Sequence, residues 1–264
     1  MIRIGHIDYI NMIPFELEET ADQSYCNIKG PPTQINQMLL KGEVDMGMIS
    51  TAFFLENKAK LLRIGDYGIV SDGPVMSVML FSRKDLSSYG KKGPLKLYET
   101  PESATSVILN RIILRHTYGL SHLIPSTRSE ADAILLIGNK ALLEREKEPW
   151  DYRYDLGAEW KKLTGLPAVF AVLAANIKIF NEKKEELEVI IELLRNKLSK
   201  SLNDIYSIVQ IAQERLPMER KLLQRYFQGL TYVIGRKEKR SIALFEQLKT
   251  GDPDFGVGMQ FKTD

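Results

Sequence analysis

Through residues 1–175 short apolar runs alternate with stretches of helical spacing, and few folds accept that alternation. Residues 1–7 read as a strand and 8–14 as the loop at its C-terminal end. After the breaker Gly30-Pro31-Pro32, Thr33 is expected to cap a short helix with Ile35, Met38 and Leu39 on its apolar side and Gly42 as its stop. Residues 44–49 form the next strand, and Ser50-Thr51 open the next helix. A βαβ unit of this kind implies parallel strands joined by a right-handed crossover.

Residues 75–81 are apolar enough for a buried strand, and 83–93 are polar and contain glycine. A second α/β block follows: strand 95–98, helix 104–116, strand 133–137, helix 140–147, and the strand-like run 168–175. Beyond it the pattern turns helical. Leu187, Ile190, Ile191, Leu194, Leu198, Leu202, Ile205, Val209 and Ala212 keep helical spacing across 182–213, Pro217 interrupts, and two further helices surround Leu222–Phe227 and Ile242–Leu248. The runs 75–81 and 168–175 flank the second block, so one lobe is expected to be inserted into another, with two crossover strands as a hinge. The expected division is 1–82 with 178–264 as the first lobe and 83–177 as the second, with a ligand cleft between them. A length of 264 residues suits two α/β lobes.

Several classes are excluded. Lys plus Arg number 36 against 34 for Asp plus Glu, a balance that argues against a nucleic-acid grip, which needs a concentrated basic face, but leaves room for a local basic or amide-lined pocket. Cys26 is the single cysteine, so neither an intrachain disulfide nor a thiolate cluster can form. No apolar run approaches the roughly 18–20 residues that span a bilayer, and the N-terminus carries charge where a secretion signal would be apolar. Residence in the cytoplasm without a membrane partner is expected. Phosphate-loop, dinucleotide, zinc-protease and nucleophile-elbow motifs are missing, and His6, His116 and His122 are scattered. No cofactor and no metal are expected.

What recurs is a strand end followed by small hydroxyl or amide residues opening a helix: Ser50-Thr51, Ser103 to Ser106 through Thr105, and Gly138-Asn139. The first turn of a helix offers free N–H groups and partial positive charge, so it accepts a carboxylate without a basic side chain. Singly each reads as an N-cap; as a set at strand ends in both lobes they point to an anion site. Asn11 sits where the first strand ends, stiffened by Pro14, either as a turn residue or as a ligand contact. Gly73-Pro74-Val75-Met76-Ser77 is a turn that brings backbone close to a ligand, or simply a turn. Trp150, Tyr152, Tyr154 and Trp160 either stack on a ring or pack within the protein.

These residues resemble the chorismate dehydratases, a menaquinone biosynthetic enzyme family of the futalosine route. The resemblance runs from the Tyr-x-Asn-x-x-Pro opening at Tyr9 through Gly42-Glu43-Val44-Asp45, Ser50-Thr51, residues 73–82, Ser103–Ser106, residues 132–138, Tyr154-Asp155-Leu156-Gly157 and residues 164–171 to residues 226–245. It implies an α/β, two-lobed, type II periplasmic-binding-protein-like fold and a hydro-lyase that converts chorismate to 3-[(1-carboxyvinyl)oxy]benzoate. By that resemblance Asn11 is the catalytic candidate, orienting the reacting ring. Ser50, Thr51, Thr105 and Ser106 are candidate anion binders, and Gly73, Val75, Ser77, Gly138 and Asn139 further substrate contacts. The family has Ser-Ser where this chain has Ser50-Thr51, and Asp where it has Asn139, which is read here as a helix cap. His6 and Asp8 fall outside the shared opening. With few titratable candidates left, the base is expected to be the substrate's own enolpyruvyl carboxylate. The rival readings are a non-catalytic small-anion solute-binding protein, a cytosolic ligand sensor and the sister enzyme 1,4-dihydroxy-6-naphthoate synthase.

Overall fold

A computed structural model describes residues 1–18, 24–90, 94–145, 147 and 150–250. The chain forms two compact units, Met1–Val70 with Phe170–Ile234 and Ser71–Val169 with Gly235–Asp264.

The first unit begins with β1 (Ile2–Ile7), a 3-10 turn (Ile10–Phe15), β2 (Tyr25–Gly30), α1 (Pro32–Lys41), β3 (Met46–Ser50), α2 (Thr51–Glu56) and β4 (Leu61–Ser71). The second holds β5 (Val78–Ser82), a 3-10 turn (Leu86–Tyr89), β6 (Leu95–Glu99), α3 (Ala104–Tyr118), β7 (Leu123–Pro125), β8 (Ala133–Ile137), α4 (Gly138–Glu144), β9 (Tyr152–Asp155) and α5 (Leu156–Thr164). The chain returns through β10 (Ala168–Asn176) to α6 (Ile177–Glu182), α7 (Lys184–Asn203), α8 (Ile205–Arg215), α9 (Arg220–Gln228) and β11 (Leu230–Val233), and ends in α10 (Arg236–Thr250).

One sheet has the order β11-β4-β10-β3-β1-β2 and the other β7-β6-β8-β5-β9. In the first, β1 runs parallel to β2 and β3, as the βαβ reading requires, while β10 runs antiparallel to β3. Gly5 lies opposite Gly47; a Cβ at 47 would come within 2.8 Å of the Gly5 carbonyl oxygen, so the pairing depends on glycine there. Pro32 starts α1, where a missing N–H costs nothing. Gly42, at φ +75°, ends it with its amide donating to the Leu39 carbonyl. The second sheet is cored by β5 and β8, buried along their whole length. Around them Met79, Phe81, Ile134, Leu136 and Trp150 form one apolar cluster.

Five expectations change. Thr33 lies inside α1, whose N-cap is Pro31, because the proline itself starts the helix. The apolar run at 75–81 belongs wholly to the second unit as a turn and β5; the outgoing crossover strand is β4. That strand has no clean alternation because Gly65 sits at φ +59° within it. The helical run at 182–213 is three helices, broken at Lys183 and at Asp204, whose carboxylate caps α8 by accepting from the Ser207 amide. The compact units also differ from the division at 83 and 177. Residues from Phe170 onward go with the first unit because Ala171–Ala175 pair along β3, and α10 goes with the second, where it packs on α3. Lastly, α4 starts at Gly138, so Asn139 stands within its first turn rather than at the cap, which is Ile137. Residues 91–93, the end of the polar stretch, lie outside the described residues.

Candidate functional site

In the first unit the candidates follow the C-terminal ends of β1 and β3; in the second they follow β6 and β8, with Gly73, Val75 and Ser77 in the turn that precedes β5. In the first, the parallel pairing of β1 and β3 puts the residues after Ile7 beside Ser50. The 3-10 turn that follows β1 buries Ile10, Met12, Ile13, Pro14 and Phe15 and leaves Asn11 half-buried. Phe15 packs edge-on against Tyr67 and Tyr232 at centroid distances of 6.0 and 5.4 Å. Five apolar anchors thus fix the turn and present one amide.

Ser50 caps α2, its Oγ accepting from the Phe53 amide at 3.4 Å. It is also held by Asn36, which accepts from the Ser50 amide at 3.3 Å and donates to its Oγ at 3.4 Å. Sequence reasoning missed Asn36. Its signal was a poor helix former on the apolar side of α1, beside Ile35 and Leu39. Thr51 follows as the first residue of α2 and is buried.

In the second unit the Gly138 amide donates to the Ser77 carbonyl at 2.7 Å, which joins the 73–77 turn to the start of α4. Gly138 is at φ +58°, a conformation that glycine adopts freely. Ser103 caps α3 by accepting from the Ser106 amide at 3.2 Å, and the Ser106 hydroxyl donates to Ser103 Oγ at 3.1 Å. Thr105 is buried beside them. Lys140 of α4 meets Glu102, just before α3, at 2.5 Å, so the two helix starts are tied together. Asp155 caps α5, and its carboxylate also accepts from the Val75 amide at 2.9 Å and the Met76 amide at 2.7 Å. Met76 is held at φ +61°, strained for a side-chain-bearing residue. The candidates Gly73, Val75, Ser77, Gly138 and Asn139 therefore belong to one joined region, with Ser106 and Thr105 at the neighbouring helix start.

Asp155 and His6 near these positions, and Asp45 at the far, N-terminal end of β3, are already engaged. Burial pushes the Asp155 carboxyl up, against the pull of the backbone amides of Val75, Met76 and Ala158. Asp45, fully buried, is bound by Arg3 through its amide and guanidinium and by Lys183 at 3.3 Å; burial raises it, and Arg3 more than offsets that. Burial lowers the His6 imidazole, partly offset by Glu16 at 2.8 Å. The four aromatic candidates turn inward or to local packing in part: Trp150 Nε1 donates to Glu144, Trp160 Nε1 to Ser241, and the Tyr154 hydroxyl accepts from the Leu86 amide. Among the described residues no group of three or more His, Cys, Asp or Glu is arranged to hold a metal ion, and no helix is long and apolar enough to cross a membrane.

Comparison with known proteins bears on this arrangement. A family model described as menaquinone biosynthesis matches residues 2–250. The chain is 26% identical to a chorismate dehydratase of Thermus thermophilus over 241 residues, covering 82% of this chain and 83% of that one. It is 30% identical to a chorismate dehydratase of Campylobacter jejuni over 176 residues, covering 63% and 64%. Among solved structures it resembles protein AF1704 of Archaeoglobus fulgidus with a TM-score of 0.71 at 15% identity, covering 95% and 97%. A Candida albicans protein described as having the generic periplasmic binding protein fold matches with a TM-score of 0.59 at 11% identity, covering 93% and 90%. The fold is that of the periplasmic binding proteins, α/β with two sheets.

Proposed function

The chain belongs to the menaquinone biosynthesis family, and from that premise we propose that it is a chorismate dehydratase of the futalosine route, a cytoplasmic hydro-lyase that converts chorismate to 3-[(1-carboxyvinyl)oxy]benzoate. The observation that carries the reading is the family match from residue 2 to residue 250, with two relatives that are chorismate dehydratases.

The chemistry asks little of acid–base side chains. Chorismate loses the ring proton at the ether carbon, the electron pair of that C–H bond enters the ring, and the neighbouring C–O bond breaks. Hydroxide and the proton leave as water, and the ring becomes aromatic. The protein must hold two carboxylates, stabilise charge pushed onto the ring carboxylate, and fix the pose. Asn11 is assigned to orient the ring. Ser50, Thr51, Thr105 and Ser106 are assigned to the carboxylates, with Gly73, Val75, Ser77, Gly138 and Asn139 as further contacts. The base is the enolpyruvyl carboxylate of the substrate, tethered beside the proton it takes. Such tethering reaches effective molarities on the order of 10⁵ M or more. The engagement of Asp45 with Arg3 and Lys183, and of Asp155 with four backbone amides, supports a site without a protein base.

The test is incubation with chorismate alone, following the aromatic product by absorbance and mass. Product formation supports the assignment; binding without turnover points to a solute-binding protein; turnover only of a futalosine-derived substrate points to the sister synthase. Single substitutions of His6, Asp8, Asp45 and Asp155 complete it. A loss of about 10⁴-fold in one well-folded variant, the upper end for general-base catalysis, would identify a protein base.

A further inference from the structure

Ten positions separate His6 from Glu16, and the segment between them is closed into a loop. His6 is the penultimate residue of β1 and is 5% exposed. Its Nε2 lies 2.8 Å from Glu16 Oε1. Glu16 ends the 3-10 turn, its amide donating to the Ile13 carbonyl at 3.1 Å. At the other end the Tyr9 amide donates to the Ile7 carbonyl and the Met12 amide to the Tyr9 carbonyl. Arg215, the last residue of α8, donates to both Glu16 oxygens, Nη1 to Oε1 and Nη2 to Oε2, each at 2.5 Å. This is the bidentate geometry in which an arginine fixes a carboxylate in direction as well as in place.

The protonation states agree with the geometry. Burial favours neutral His6, and Arg215 holds Glu16 ionised below its usual range against the upward push of burial. Nε2–H therefore donates to the carboxylate. Around the imidazole, Glu16 and Asp8 favour its charged form, and Lys29 and Arg215 oppose it.

We propose that His6, Glu16 and Arg215 form a clamp whose task is to position Asn11, with Glu16 the central positioning residue. The inference rests on the dehydratase reading for its catalytic meaning. The apolar residues of the turn set its depth, but burial is indifferent to rotation of the turn about its own axis. The directional bonds at Glu16 supply that constraint, and they join β1 and the turn to α8, an element distant from both in sequence. A misplacement of about 1 Å at a reacting group costs on the order of 10²-fold in rate.

The experiment uses Glu16→Gln and Arg215→Gln in the full chain, each alone and combined with Asn11→Ala, with chorismate kcat and KM measured. The expected result is a fall in kcat of about 10- to 100-fold with KM changed less than about threefold. In the Asn11→Ala background the same substitutions should cost less than about threefold, since the clamp acts through a group already removed. Equal losses in both backgrounds, or a change confined to KM, overturn the proposal. Should Glu16→Gln not fold, Arg215→Lys carries the same test at a side chain 34% exposed. If the unaltered protein does not turn over chorismate, the dehydratase reading fails, and the clamp is judged by amide exchange. The Met12 and Glu16 amides should then exchange at least about tenfold faster in Glu16→Gln, and unchanged exchange overturns the clamp.

Discussion

Asp155 accepts from four backbone amides on two segments, those of Val75 and Met76 in the turn and of Gly157 and Ala158 in its own helix. An amide in its place would set an N–H₂ against N–H donors. Asp155→Asn should therefore lose about 1–3 kcal/mol of stability, read from the denaturation midpoint, and raise KM for chorismate through the loosened 73–77 turn. His6 permits a signed pH prediction. Its folded pKa lies below the ordinary 6.5, so the unfolded chain binds the proton first. Stability is full above pH 6.5 and falls as pH drops from there towards the lowered folded value, with a slope of at most about 1.4 kcal/mol per pH unit for one proton. His6→Gln, which cannot titrate, should flatten that part of the stability-against-pH curve; an unchanged slope counts against this assignment. Asn11→Ala should cost at least about 10²-fold in turnover while stability moves by less than about 0.5 kcal/mol, since Asn11 is the one half-buried residue of its turn.

Elements whose partners are local were legible in the sequence. β8 is a five-residue apolar run found at its expected bounds, and α3 begins after Ser103 as its cap, as the hydroxyl pattern indicated. Gly42 stops α1 as expected. What escaped depends on partners far along the chain. β4 pairs between β10 and β11, and its glycine-broken pattern means little without them. Asn36 shows its role only when β3 brings Ser50 beside it, and the clamp needs Arg215, 199 positions from Glu16. The reading of Asn139 as the helix cap failed because helix start is set by the backbone of Gly138, which the hydroxyl-and-amide pattern does not encode. The pairing of β1 with β3 gives a test at this scale. Gly47→Ala drives a Cβ into backbone, which cannot yield as a side chain can, and should cost about 1–3 kcal/mol. Amide exchange should quicken in β1 and β3 together.

The chain passes between its two compact units three times, after Val70, after Val169 and after Ile234. The third passage delivers α10, where Ser241 accepts from Trp160 Nε1 at 2.9 Å and Phe245 meets the same indole edge-on at 6.3 Å. Phe245→Ala should cost about 3–5 kcal/mol, with Trp160 emission altered and exchange quickened in α3 and α5. Loosening that appeared first in the β1–β3 sheet would contradict the membership of α10. The order of the first sheet bears on how the protein is made. β10 lies between β4 and β3, so the strands encoded by residues 2–71 have no complete sheet to join until residue 168 and beyond have been added. The five strands of the other sheet lie within residues 78–155. On the ribosome, where N-terminal domains ordinarily fold first, the later-encoded sheet is the one able to assemble whole first, while the β3-β1-β2 ribbon and the lone β4 wait for β10 to join them.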